Sequence, residues 1–479
     1  MTESRAATQA PPQGGLGRGR TVGIVSLLTL VVAFIGYLRE ATLASRFGLS
    51  ATMDAYFAAV FVPTLVYMVL IAGTLSPVFI PILIQEDSAE DRDRLSETFS
   101  VVTTFVLFLL LTTISAGIIT VHWWLPLLFS GFGAATMNTA TRLVYIIFPA
   151  VLFVALAGIL TAVLNGFHKF GLAASAPALS SVSVIGAALV ARGDKAIYIV
   201  GYATALGFIL QFILLLPGTA ILGIRYRFVV DLRHPAVVKL LRLGIPLFLY
   251  LVVANASSFL ERNLASHLSA GAVSTLTYAM RLFAIPANFL AAPLAIVAYP
   301  LFAREAVREE SGDLRNQVSR IFRLVCLLFL PLTIWVVLNA LPLTRFFYER
   351  GQFRLQDSVM TSQALMLYAI GILPNAMAVV LLRCFYAAQD TITPLLAESI
   401  DLVFYIIAAT ALTKHFGISG LALTRGMTFF LVAIILIVVL RNRHGLLTID
   451  LNFIQFFLRT SVPTVFSARW RAGSATNSW

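Results

Sequence analysis

Twelve apolar stretches of membrane-crossing length recur along this chain, and nothing else in it limits the fold as tightly. A hydrocarbon core roughly 30 Å thick asks for about 20 apolar residues per helical crossing. In lipid, a helix also satisfies its own backbone hydrogen bonds. The stretches are read near residues 22–47, 53–84, 97–121, 140–164, 172–191, 196–222, 243–266, 272–302, 317–340, 358–384, 391–413 and 417–440. They run without the two-residue alternation of a membrane β-barrel. With 59% hydrophobic and only 12% charged residues, and a mean hydropathy of +0.90, the chain cannot cover an ordinary water-facing surface. The expected fold is an all-α polytopic membrane protein with 12 or more transmembrane helices.

The chain also echoes itself. LREATLASRF (Leu38 to Phe47) is answered by LERNLASHL (Leu260 to Leu268). Pro63, Pro77 and Phe79 recur as Pro286, Pro300 and Phe302, and LNGFHKFGLAASAP (Leu164 to Pro177) is echoed by LRCFYAAQDTITP (Leu382 to Pro394). Two pseudo-symmetric six-helix lobes follow, residues 22–223 and 243–445, around a central cavity. An even number of spans per lobe makes the repeat parallel, and such duplicated halves are the usual build of secondary transporters. Residues 1–21 read as a disordered tail. Residues 224–242 read as a basic linker lying along the headgroups, amphipathic over 229–241, and residues 446–479 as a short C-terminal segment. Within that segment Phe453 to Phe466, interrupted by Arg459 and Pro463, is read either as a shortened thirteenth span or as an interfacial piece.

The net charge of +12 is scattered among inter-helix loops, which argues against a nucleic-acid partner. Lys and Arg favour one set of alternate loops by roughly two to one, which places both termini in the cytoplasm. Cys326 and Cys384 sit in apolar spans without ligand spacing, and the six histidines stand singly. No disulfide framework, metal site, cofactor or catalytic motif is called for.

An ionised group at bilayer depth carries a penalty of at least about 2.5–3.5 kcal/mol, so the charges that remain there are the functional candidates. Arg39 and Glu40 fall at the repeat position of Glu261 and Arg262; Asp54, Arg142, Arg281, Glu398, Asp401 and Arg425 complete the set. A cavity lined by Arg39, Arg281 and Arg262 suits a phosphate or pyrophosphate, whose oxygens guanidinium binds bidentately. The other reading is that each arginine is neutralised by its neighbouring acid and pins helices together. Asp54 serves equally as the cap that begins span 2. Glu398 and Asp401, three apart on one helical face, could share a proton or hold Na⁺.

Six segments carry a resemblance. GYLREATLASRFG (Gly36 to Gly48), DAYFAA (Asp54 to Ala59), FIPIL (Phe79 to Leu83), LNGFHKFGLAASAPAL (Leu164 to Leu179), ERNLASHLSAGAVSTLTYAMRLFAIP (Glu261 to Pro286) and LLRCFYAAQDTITP (Leu381 to Pro394) are similar to the MurJ/MviN family. Those proteins are lipid II flippases of the multidrug/oligosaccharidyl-lipid/polysaccharide exporter superfamily. The resemblance implies a two-lobed bundle in the bacterial inner membrane that opens to each side in turn. Its cargo would be an undecaprenyl-pyrophosphate-linked saccharide, moved to the outer leaflet among membrane lipids and beside other cell-wall synthesis proteins. It also implies that Arg39, Asp54 and Arg281 meet the substrate. Met280 stands where the family usually has Asp; Ala33, Tyr67 with Met68, and Ala72 stand where its lipid II flippases tend to carry Arg, Arg and an acid.

The resulting expectation is a flippase for lipid II, working by alternating access, with Arg39, Asp54, Glu261, Arg262 and Arg281 at the substrate. The alternatives are an exporter of another lipid-linked oligosaccharide or exopolysaccharide precursor, or a cation-coupled amphiphile exporter. Glu398 and Asp401 would take up Na⁺ or H⁺, and the membrane potential is a further energy source. An enzyme acting on lipid-linked sugars lacks a base or metal pair.

Overall fold

The computed structural model describes residues 15–69, 79, 92–167, 169–307, 311–388, 390 and 392–442, and among these residues helices are the only regular structure. Ten helices and one bent pair, Leu355–Ala369 with Ile372–Ala387, are long and apolar enough to cross a membrane. The longest, Ile392–Asn442, has 51 residues, about 75 Å at 1.5 Å per residue and far more than one crossing needs. It breaks at Gly417 (φ 55°, ψ −129°), a conformation that side chains with a Cβ resist, and so comprises spans 11 and 12. The described residues thereby contain the twelve crossings expected. Large apolar side chains stay exposed around the bundle, among them Ile119, Leu189, Val190 and Ile407, as a lipid-facing surface requires.

The repeat read from the sequence is visible in three dimensions. Span 2 (Ala51–Val69) holds Pro63 and loosens into π-helical turns at residues 67–69; span 8 (Ala272–Tyr299) holds Pro286 and does the same at Ala287–Ala291. A proline removes one helical hydrogen bond, and the widened turn absorbs the mismatch. Span 3 (Arg92–Ile119) is followed by a short helix, Val121–Leu128, and span 9 (Ser311–Leu338) by its counterpart, Ala340–Tyr348. The repeat partners Phe79 and Phe302 are both fully buried.

Two boundaries differ from expectation. Span 1 (Gly15–Phe47) begins as helix at Gly15, inside the tail expected to be disordered, because no proline interrupts it beyond Pro12. The helix of span 7 (Pro235–Ser266) begins inside the expected linker. Proline is preorganised for a first helical position, and the His234 side chain accepts the Ala236 amide as a cap. The rest of the linker does not form an amphipathic helix. It runs along span 3, where Ser96 and Ser100, one turn apart, accept the amides of Arg225 and Arg227, and Thr104 bonds the Tyr226 hydroxyl. The stretch at 446–479, Ala72 and the first part of the tail lie outside the described residues.

Candidate functional site

Arg39 and Glu40 project from span 1 of the N-terminal lobe and Arg281 from span 8 of the C-terminal lobe, and the fold brings them together. Glu40 is buried, with one carboxylate oxygen 2.6 Å from Arg39 Nη2 and 3.6 Å from Arg281 Nε. The sequence offered Arg281 no acidic neighbour; the acid comes from the other lobe. The pairing is incomplete: Glu40 Oε2 and Arg39 Nε are buried without hydrogen-bond partners, and the Arg281 side chain is 55% exposed.

These residues line a cavity of about 690 Å³ between spans 1 and 8. Phe34, Tyr37, Phe289 and Phe347 form apolar parts of its wall, and Ala33, where the family resemblance suggested another arginine, is also there. Tyr37 fixes the wall across the lobes by donating to the Phe347 carbonyl at 3.0 Å. Arg350, just past the short helix Ala340–Tyr348, adds a third guanidinium. In the sequence Arg350 stands in a loop between spans, with nothing to mark it as a cavity residue. Three arginines against one glutamate leave the cavity with two excess positive charges.

Asp54 is not the cap that begins its own span. Span 2 is capped by Ser50, whose hydroxyl accepts the Met53 amide. Asp54, one turn further, is buried and reaches across the lobe boundary. Its two oxygens accept the amides of Gly271 and Ser274, each at 2.7 Å. A carboxylate on the free amides at the start of span 8 is a cap with favourable helix-dipole electrostatics, supplied from the other lobe.

More contacts join the lobes beside it. Ser45 accepts the Gln352 amide through its carbonyl at 2.7 Å, and Ser266 accepts the Gly131 amide through its hydroxyl at 3.1 Å. Ser45 and Ser266 are the matching serines of the two LAS echoes, so each lobe seats its post-helix turn on the same element of the other. The approach is backbone to backbone. A Cβ at Gly131 would lie 2.4 Å from His267 Cα, and one at Gly351 2.3 Å from the Ser45 carbonyl oxygen. All of these residues lie at the turns after spans 1, 3, 7 and 9, which alternation of the spans puts on one face of the membrane. The lobes are therefore sealed on that face.

Glu261 and Arg262 do not repeat the Arg39–Glu40 pair. Glu261 Oε2 accepts from Arg425 Nε at 3.0 Å and from Nη2, while the Tyr368 hydroxyl donates to Oε1. Arg262 instead lies 4.0 Å over the Phe61 ring of the other lobe, with Nη1 3.4 Å from Thr277 Oγ1. The two residues and Arg425 line a separate cavity of about 250 Å³. Asp401 is buried on span 11 and Glu398 is half-buried one turn before it. Both cysteines are free and buried.

The family model described as lipid II flippase MurJ matches residues 43–474. A lipid II flippase MurJ of Burkholderia cenocepacia is 29% identical over 455 residues, covering 92% of this chain and 87% of that protein. A probable lipid II flippase MurJ of Vibrio cholerae is 28% identical over 421 residues, covering 85% and 80%. Among solved structures, a lipid II flippase MurJ in an inward closed conformation superposes with a TM-score of 0.81 at 23% identity, over 93% of this chain and 91% of that one. An inward-facing multidrug resistance MATE transporter gives 0.68 at 15% identity, over 88% and 98%. Both likenesses are of fold.

Proposed function

This chain belongs to the lipid II flippase MurJ family, and from that premise we propose that it carries lipid II from the inner to the outer leaflet of the bacterial cytoplasmic membrane. It is a membrane transporter, not an enzyme. The observation that carries the reading is the incompletely neutralised cluster of Arg39, Arg281 and Arg350 around Glu40. A pyrophosphate diester bears two negative charges, which equal the two positive charges in excess. Guanidinium binds such oxygens through paired, charge-assisted hydrogen bonds.

The arginines come from both lobes, so a pyrophosphate held between them draws span 1 and span 8 together. With the N-terminus in the cytoplasm, as the loop charges favour, the sealed face is the outer one and the cargo enters from the inside. Transport then requires the Asp54 cap and the reciprocal glycine contacts to part as the inner side closes. Loaded, the cavity is electrically balanced. Empty, it carries two positive charges, which an inside-negative potential pulls back toward the cytoplasm at about 2.3 kcal/mol per charge per 100 mV crossed. The enzymes that polymerise the released saccharide are its natural partners.

Binding of lipid II and of an undecaprenyl monophosphate sugar to the purified protein, compared by native mass spectrometry, tests the reading. Tighter binding of the pyrophosphate, weakened in Arg39→Ala and Arg281→Ala, is the expected result; equal binding of the two lipids would count against it.

A further inference from the structure

The C-terminal lobe contains a cation of its own. Arg425, on span 12, is buried, and its guanidinium holds Glu261 of span 7 through Nε at 3.0 Å and through Nη2. Its Nη1 donates to Ser257 Oγ, one turn before Glu261, at 2.9 Å. Its planar face lies 4.3 Å from the centre of the Tyr405 ring on span 11. Tyr368, from the bent span 10, donates to the remaining oxygen of Glu261. One turn before Tyr405 on span 11 stands Asp401, buried, with Oδ1 lacking a hydrogen-bond partner. Acids from spans 7 and 11 are thus gathered around a guanidinium from span 12.

Buried carboxylates converging between helices are what a hard monovalent or divalent cation seeks, since such ions bind through several oxygens at once. In this lobe the arrangement is already occupied. Both oxygens of Glu261 are engaged by protein donors. A guanidinium tethered to the chain is present at a local concentration that a dissociable ion must outcompete. Its fixed charge also repels an incoming cation.

We propose that Arg425 is a built-in counterion standing where a coupling cation would bind, so that spans 7, 11 and 12 hold together without Na⁺ or another alkali ion. The carrier's cycle then takes up none. This stands against the expectation that Glu398 and Asp401 bind Na⁺, and the cavity charges and the membrane potential would then give the cycle its direction. The inference rests on the chain being a carrier, but its readout is thermal stability and does not depend on which lipid is moved.

The full chain, purified in detergent, is melted in sodium, potassium and choline chloride at equal ionic strength. The wild-type melting temperature is expected to be the same in all three. Arg425→Ala, which leaves Glu261 and Asp401 facing a newly opened space, is expected to melt lower in choline. It should recover saturably with Na⁺ by about 3 °C, the scale for a ligand at roughly 100 times its dissociation constant on a chain of this length. Arg425→Lys, which keeps the charge, should stay indifferent to the salt. A saturable sodium stabilisation of the wild type overturns the proposal even if Arg425→Ala fails to fold. So does a folded Arg425→Ala that remains indifferent to Na⁺.

Discussion

Arg281 Nε stands 3.6 Å from Glu40 Oε1, within ion-pair range yet beyond a good hydrogen bond, and the two residues belong to different lobes. A loose pair across a moving boundary is suited to exchange: a phosphate oxygen can replace the carboxylate on Arg281 without breaking a tight bond. Arg39, at 2.6 Å from the same oxygen, holds Glu40 in place while this happens.

Removing either arginine therefore deletes charge-assisted contacts to the cargo. Arg39→Ala and Arg281→Ala are each expected to weaken lipid II binding by about 10- to 100-fold, corresponding to roughly 1.5–3 kcal/mol per charged hydrogen bond. Glu40→Gln removes the competing acid, and is expected to tighten binding while slowing release. Titration of the purified variants with lipid II, followed by dissociation kinetics, checks both directions.

The Asp54 carboxylate stabilises the sealed face alone. Replacing a side-chain cap with Ala typically loses about 0.5–2 kcal/mol, so Asp54→Ala should shift the equilibrium toward the outward-open state by up to about 30-fold. A cysteine placed at Met280, beside the second cavity, would report it. Labelling by an impermeant thiol reagent from the outer side should quicken in the Asp54→Ala background and stay slow with Asp54 intact.

The two glycine contacts separate steric from conformational effects. Gly131→Ala meets the backbone of Ser266 and His267, whereas Gly351→Ala, which meets the Ser45 backbone, also forces a side chain into φ +60°, adding about 1–2 kcal/mol. Both should hold the lobes apart on the sealed face, with Gly351→Ala the more severe. Distances between spin labels on the turns after spans 1 and 9, and on those after spans 3 and 7, should lengthen in both variants without loss of helical content.

Arg350 tests the charge argument on its own. Arg350→Ala lowers the cavity excess from two positive charges to one, so the return of the empty carrier should lose part of its voltage dependence. Transport in cells treated with graded ionophore should fall less steeply for Arg350→Ala than for the wild type. An unchanged slope would separate Arg350 from the moving charge.

Much of this was legible in the sequence for identifiable reasons. The spans were readable because a hydrocarbon core demands length and apolarity, which composition records directly. The repeat was readable through LAS, Pro63 and Pro286, and these echoes mark the elements that meet at the sealed face and the turns that widen below it. Partner choice was readable for the neighbours Arg39 and Glu40 and not beyond them. Glu40 and Arg281 lie on different lobes, Asp54 caps a helix more than two hundred residues away, and Glu261 takes Arg425 from span 12 in place of its neighbour Arg262. Adjacent residues on a helix point about 100° apart, so chain proximity says little about pairing. Arg350 was missed because its loop position gave no sign that the short helix before it folds back over the cavity.

The most direct measurement is the appearance of lipid II on the outer leaflet of bacteria depleted of their own flippase and supplied with this chain. Wild-type protein should restore outer-leaflet lipid II and growth, and the Arg39→Ala, Arg281→Ala double variant, inserted at equal level, should restore neither. Full restoration by the double variant would contradict the account.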